Sequence, residues 1–220
     1  MRHKNYSCTL YLIRHAESEM NVKNYLVGGQ SLDSILTQKG IEQANSLGQR
    51  LKKENTKIDF AYSSLAKRAY DTARISLGYL NYPLEKIIQI PELNELSQGN
   101  WEGYERNVVY NKDNLLYMNR KKSTFSPPNG ESQKQVERRV SSWIEDNFIY
   151  NDEFVKNNNH KTIAIYSHGL AIKTFLRHVM NFDQHFVYYM LCENTSISEI
   201  VFNEKDWFVK RINDYAHIMG

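Results

Sequence analysis

Two histidines and two arginines stand at comparable points of the chain. Arg14-His15 closes the apolar run Cys8 to Ile13, and Ser167-His168-Gly169 closes a second run, Thr162 to Tyr166. A third run, Ile58 to Tyr62, leads into SSLAKRA and so to Arg68. Taken singly, each residue has an ordinary reading: Arg14 as a surface ion pair, His168 as a polar helix cap. Taken together they suit a phosphoryl group. Arginine offers planar paired donors to phosphate oxygens and stays charged at any working pH. Phosphoryl transfer is catalysed mainly by positioning and by neutralising the equatorial oxygens. Two arginines and one protonated histidine could do this without magnesium, leaving the other histidine to attack as a neutral imidazole with its tautomer fixed. No metal is expected. The chain has no His-Glu-x-x-His or Cys-x-x-Cys pair, and a divalent cation beside two arginines would be electrostatically unfavourable.

The elements that must hold these residues alternate in period. Cys8 to Ile13 reads as a buried strand. Thr37 can cap a helix whose apolar face is Ile41, Ala44, Leu47 and Leu51. After the strand Ile58 to Tyr62, the small face Ala69, Thr72, Ala73, Ser76 and Leu77 predicts a helix lying close against a sheet, with Arg68 in its first turn. A further strand is expected at Lys86 to Ile90. Pro127-Pro128, in SPPNGES, reads as a loop leading into an amphipathic helix with Val136, Val140, Trp143, Ile144 and Phe148 on one face. The Asn157 to Asn159 patch reads as a surface loop. It precedes the strand Thr162 to Tyr166 and a helix carrying Ile172, Phe175, Leu176 and Val179. Ser196 to Phe202 and Trp207 to Ile212 form a final hairpin about Asn203 to Asp206. This alternation predicts an α/β protein, a three-layer α/β/α sandwich with a mostly parallel central sheet and an antiparallel edge. Ligands in such sheets bind beyond the carboxyl ends of the strands. His15, His168, Arg14 and Arg68 all fall there.

The whole chain sets wide bounds. Its 220 residues, 41% apolar and 24% charged, fit one domain able to build its own core. A net charge of +3 is too small to imply nucleic-acid binding, and the tyrosines are not interleaved with a basic stripe. Lys52-Lys53 and Arg120-Lys121-Lys122 are short, solvated clusters by default. Cys8 and Cys192 are the only cysteines. Two isolated thiols fit a reducing cytoplasm better than a disulfide framework. The first apolar run is too short for a signal-peptide core or a membrane span. A cytoplasmic protein with no membrane partner is expected.

With these residues placed, the chain resembles the histidine phosphatase superfamily, the phosphoglycerate mutase-like proteins. The segment LYLIRHAESEMN, Leu10 to Asn21, is similar to that family's first block. It implies His15 as nucleophile with Arg14 and Asn21 on the transferring phosphate. SSLAKRAYDTA, Ser63 to Ala73, implies Arg68 as a phosphate ligand. ELNELSQGNWEGY, Glu92 to Tyr104, implies Glu95 as proton donor. YSHGLAIKTFL, Tyr166 to Leu176, implies His168, with Gly169 beside it, as the second pocket histidine. Weaker similarities lie in LDSILTQKGIEQA, PPNGES and ENTSISEI. The blocks keep the family's order from Leu10 to Ile200, so the resemblance spans nearly the whole chain.

The resemblance implies a metal-independent phosphomonoester hydrolase with no cofactor, working through phosphohistidine on a small phosphorylated metabolite. Glu95 would first protonate the leaving oxygen and then act as base toward water. Glu17 and Glu102 compete for that role but read as framework residues. A phosphoglycerate mutase is the nearest alternative, since it shares the nucleophile. The block NELSQGNWEG and the short stretch from Gly103 to Pro127 resemble the phosphatase branch. A phospholigand-binding protein without turnover is a third reading, against which the intact His15, Arg68, Glu95 and His168 count. Ala16 stands where Gly is usual, Leu65-Ala66 where Pro-Leu is common, and Val27 where a polar side chain usually stands. A phosphate contact is therefore missing at 27 or supplied by the Gly28-Gly29-Gln30 turn. Residues 104–129, with Tyr110, Tyr117, Met118 and the Arg120-Lys121-Lys122 run, are expected either to cap the pocket or to form an exposed amphipathic helix. Residues 1–220 are otherwise expected to make a single domain, as monomer or homodimer.

Overall fold

Strand β1, Ser7–Arg14, lies inside the sheet with a partner along each edge, and helices on both faces bury most of its residues. That explains its nearly unbroken apolar run, which needs no alternation. The computed structural model describes residues 5–156 and 160–219, so the Asn157 to Asn159 patch lies outside the described residues. Six strands lie in the order β3-β2-β4-β1-β5-β6. Here β2 is Phe60–Ser63, β3 Ile88–Gln89, β4 His160–Ser167, β5 Ile197–Asn203 and β6 Asp206–Asp214. The pairs β1/β4, β4/β2 and β2/β3 are parallel, whereas β5 runs antiparallel to β1 and β6 to β5. The mostly parallel sheet with an antiparallel edge is thus as the sequence predicts. The register Arg14↔Ser167 puts the ends of β1 and β4 side by side.

Helices cover both faces. Helices α1, Gln38–Lys53, and α2, Lys67–Gly78, pack on one side, where Ile13, Leu47, Leu51, Ala73, Leu77 and Tyr166 form the core. The exposed α3, Lys112–Lys121, belongs to the 104–129 segment. Helices α4, Gln133–Phe148, and α5, Gly169–Met180, cover the other face over Leu10, Leu12, Ile144, Ile165 and Phe175. The starts are capped as their sequences dictate. Thr37 accepts the Gly40 N–H at the head of α1, and Ser132 forms a capping box with Gln135 at the head of α4. Among the described residues no helix is long and apolar enough to cross a membrane.

Two local expectations need correction. Ile41 faces solvent, and Gly40, Gln43 and Gly48 are buried on α1 instead; Gly40 lies against the Glu17 carbonyl and Gly48 against the Tyr79 ring, where a Cβ would not fit. The strand at 86–90 shrinks to Ile88–Gln89, since Leu84–Lys86 turns as a 3-10 helix after Pro83. The last hairpin turns about Asn203 to Asp206 as expected, with Glu204 and Lys205 at its centre and Glu204 at φ +52°.

Gly40 marks the tightest of these approaches. A Cβ there would overlap the backbone carbonyl of Glu17, two residues beyond His15. Backbone cannot move aside as a flexible side chain can. Gly40→Ala should therefore lower the urea midpoint and cost about 1–3 kcal/mol, the usual range for overpacking. A substitution that raised stability, as helix propensity alone would have it, would disprove the close approach.

Candidate active site

The parallel strands β1, β4 and β2 deliver Arg14-His15, Ser167-His168 and Ser63-Ser64 to one rim of the sheet. His15 and His168 are buried, with ring centroids 5.0 Å apart and planes tilted by 57°. Arg68, in the first turn of α2, reaches both rings. Its Nε donates to His15 Nε2 at 3.3 Å, and one terminal nitrogen lies 3.1 Å from His168 Nδ1. The other terminal nitrogen donates to the carbonyls of Gln30 (3.0 Å) and Ser31 (2.7 Å).

These bonds assign the tautomers. His15 Nδ1 lies 2.7 Å from the Ala16 carbonyl, which can only accept, so the proton sits on Nδ1 and Nε2 keeps its lone pair. For His168 the Arg68 donor claims Nδ1, so Nε2–H donates to Ser64 Oγ at 2.8 Å. Burial, then the Arg68 and Arg14 charges, holds His15 well below the ordinary histidine value. Burial, then Arg68, His15 and Arg14, does the same to His168. Both imidazoles are thus held neutral, by burial first and then by the two guanidinium charges beside them. Arg68 is itself pushed down to about 10 by burial, with Glu95 opposing, and so stays charged at neutral pH.

The remaining expected residues divide into two sets. Arg14 donates to the Cys192 carbonyl at 2.5 Å, while its Nε is buried without a hydrogen-bond partner among the described residues. Gly169 lies beside that atom, and a Cβ there would come within 3.7 Å of it. Glu95 accepts the Leu96 N–H on one oxygen (2.9 Å) and the Leu170 N–H on the other (3.1 Å), which docks it on the first turn of α5. These residues converge with His15, Arg68 and His168. Asn21 is occupied locally: its Oδ1 accepts the N–H and hydroxyl of Ser18 (3.0 and 3.1 Å).

Glu17 and Glu102 are framework residues. Glu17 takes the Thr37 hydroxyl at 2.9 Å and pairs with Lys39 at 3.1 Å. Glu102 accepts the N–H groups of Gln98 (2.9 Å) and Gln30 (3.1 Å). It lies so close under Gly29, at φ +68°, that a Cβ there would overlap its carboxylate. The Gln30 N–H is therefore committed to Glu102 and its carbonyl to Arg68, so neither is turned to a phosphate. Val27 is buried, and its main chain pairs with Gly103 and Tyr104.

Sequence reasoning missed several supports. Ser64 orients His168. Asn94 accepts the Leu65 N–H at 3.0 Å where Leu65-Ala66 replaces Pro-Leu. Arg139 donates to the Glu92 and Glu95 carbonyls, at 2.6 and 3.0 Å, and so fixes the loop that carries Glu95. Ser64 and Asn94 lie inside blocks already singled out, Ser63 to Ala73 and Glu92 to Tyr104, whereas nothing local marks Arg139.

An α/β sheet with two histidines and two arginines gathered at the ends of parallel strands defines a phosphoryl-handling class of protein. Residues 10–215 match the model of the histidine phosphatase superfamily (branch 1), and the chain belongs to that superfamily. Two curated relatives are each called 2,3-bisphosphoglycerate-dependent phosphoglycerate mutase. That of Bartonella henselae is 37% identical over 134 residues, 60% of this chain and 64% of the relative. That of Bartonella bacilliformis is 30% identical over 198 residues, 89% of this chain and 86% of the relative. Among solved structures, a phosphoserine phosphatase from Entamoeba histolytica in complex with phosphoserine superposes with a TM-score of 0.79 at 25% identity, covering 96% of this chain and 100% of that one.

Two outcomes check the geometry. Glu102→Ala strands two N–H groups and releases the carbonyls that hold Arg68, so kcat/KM toward a phosphomonoester should fall about 10–100-fold. Unchanged kinetics would show that the turn does not position Arg68. As for pH, both rings are depressed in the fold, so the unfolded chain takes up these protons first. Stability held above the ordinary histidine value of 6.5 is then lost as pH falls below it toward the folded values. Ring NMR signals of His15 and His168 should show no protonation as pH passes through 6.5 in the folded protein.

Proposed function

We propose that this protein is a metal-independent phosphomonoester hydrolase that acts on a small phosphorylated metabolite through phosphohistidine at His15. The observation that carries the reading is the His15 Nδ1 bond to the Ala16 carbonyl, which leaves the Nε2 lone pair facing Arg68 and His168. A nucleophilic imidazole needs that arrangement.

Arg68 and the Nε of Arg14 take the phosphate oxygens, with the amide nitrogen of Asn21, which the Ser18 bonds to Oδ1 leave available, and with Gly169 and His168 completing the cradle. The dianion displaces the Arg68 bonds to the two rings and offers His168 an acceptor, which favours its protonated form. Nε2 of His15 forms the bond to phosphorus as the ester P–O bond breaks, and Glu95 gives its proton to the leaving oxygen. Water then attacks phosphorus, loses a proton to Glu95 and breaks the P–N bond, releasing inorganic phosphate. Glu95 reaches the leaving oxygen by exchanging one of its main-chain bonds.

Hydrolysis is favoured by the phosphoserine phosphatase likeness and by the short stretch between Gly103 and Pro127. Residues 104–129 serve as the cap of a single domain. Trp101 meets Tyr110 edge-on and Phe125 at a tilt, and Phe125 meets Tyr117 edge-on, which holds the segment against the loop that carries Glu95 and Glu102. Transfer between hydroxyls of a sugar acid is the second reading, supported by the names of the relatives. Cys8 and Cys192 are both free thiols, which supports a reducing, cytoplasmic setting.

Rapid quench with a phosphomonoester should trap acid-labile phosphate on wild-type protein and none on His15→Ala. Glu95→Gln should lower kcat about 100-fold or more with esters of poor leaving groups, while near-normal turnover would remove it from the acid role. Rates should be unchanged by chelator. A divalent-metal requirement would contradict the mechanism, and phosphoglycerate interconversion stimulated by 2,3-bisphosphoglycerate without phosphate release would select the mutase reading.

A further inference from the structure

Every backbone polar group from Arg14 to Ala16 is bonded, and half of that bonding comes from residues 194–196. The Arg14 N–H donates to Ser196 O (3.2 Å), and its carbonyl accepts the Thr195 N–H (3.1 Å). The His15 N–H donates to Ser167 O (2.9 Å), while its carbonyl accepts the Asn194 side-chain amide (2.9 Å) and, more weakly, the Thr195 N–H (3.4 Å). The Ala16 N–H donates to Thr72 Oγ1 (3.0 Å), and its carbonyl holds the His15 ring. The two carbonyls that set the path of the chain through the nucleophile therefore depend on Asn194 and Thr195.

Thr195 makes these contacts from a left-handed conformation, φ +58°, and is wholly buried. For a β-branched residue that backbone is strained, and strain of this kind persists only where neighbours over-determine it. The restraint is traceable. Thr195 Oγ1 donates to the Asn194 carbonyl at 2.6 Å and lies 2.9 Å from His217 Nε2. On its other side His217 Nδ1 lies 3.3 Å from an Arg50 terminal nitrogen, and Arg50 is fixed by Asp214 and Glu54. Arginine only donates, so Nδ1 accepts and Nε2–H donates to Thr195. Burial, with Arg50 beside it, pushes His217 down to about 4, in keeping with a neutral ring.

We propose that His217 is a positioning residue for the nucleophile: bonded to Arg50, it holds Thr195 in its left-handed turn and so fixes the backbone carbonyls of Arg14 and His15. His217 lies beyond the 10–215 stretch that matches the superfamily. Its consequence for rate rests on the reading of His15 given above, but the clamp itself does not.

The test uses the full chain and four variants, His217→Ala, His217→Gln, Thr195→Gly and the Thr195→Gly/His217→Ala double. Glycine adopts the left-handed turn without strain, so it removes the need for His217. His217→Ala should slow phosphohistidine formation about 10-fold or more and leave KM unchanged. His217→Gln, whose amide can accept from Arg50 and donate to Thr195, should stay within about 2-fold of wild type, and in the Thr195→Gly background His217→Ala should add less than about 2-fold. Hydrogen exchange at the Thr195 amide should rise in His217→Ala and not in His217→Gln. Unchanged exchange, an equal cost of His217→Ala in both backgrounds, or Gln no better than Ala would each overturn the proposal. Wild-type protein that forms no phosphohistidine would refute the reading of His15 instead, and amide exchange would still decide the clamp.

Discussion

The structure around the site depends on burying one full charge, the guanidinium of Arg68. Taking such a group out of water costs several kcal/mol even after relaxation, and the fold meets that cost with bonds from three directions. Two carbonyls of the 28–31 turn take one end, the two imidazoles take the middle and the far end, and Glu95 supplies the compensating field. Much of the neighbouring loop structure serves this arrangement. Gly29 lacks a side chain because Glu102 must lie beneath it, and Glu102 is there to hold the turn whose carbonyls face Arg68.

The same charge sets the electrostatics of the site. Arg14 and Arg68 are cationic, whereas His15 and His168 are kept neutral by burial and by those cations. A site of this kind has excess positive potential and spare donor capacity, above all at the buried Nε of Arg14. A phosphomonoester dianion complements it, and a neutral ligand would leave that donor unpaired. The proposed nucleophile, His15, has its tautomer set by a neighbouring backbone carbonyl and not by a ligand. Pre-organisation of this sort lowers the reorganisation needed during transfer.

Strand order explains how distant segments share one site. Because β1 and β4 are parallel neighbours in register, the residues that follow them emerge at the same edge. The antiparallel β5 arrives from the opposite direction, so the residues before it, Asn194 to Ser196, lie against that same edge and can bond the chain at His15. An edge built from strands of both directions therefore receives both strand ends and a strand start.

Much of this was legible in the residues alone. Apolar runs and helical spacings located all six strands and the main packed helices, because burial imposes its period on any chain that forms a sheet. Arg14-His15, Arg68 and Ser167-His168-Gly169 stood out because strand ends and helix starts are where an α/β sheet exposes backbone and side chains to a ligand. Glu95 and Asn21 could be named only through family resemblance. The tertiary structure decided the rest. Ile41 turned outward and β3 shortened because packing distance and a proline-led turn overrode local periodicity. The neutral state of His168 follows from its burial and then from charges that lie 100 residues or more away from it in the chain, at Arg68 and Arg14. The supports Ser64, Asn94, Arg139 and His217 act through hydrogen bonds across folded space, and such bonds leave no periodic trace in a sequence.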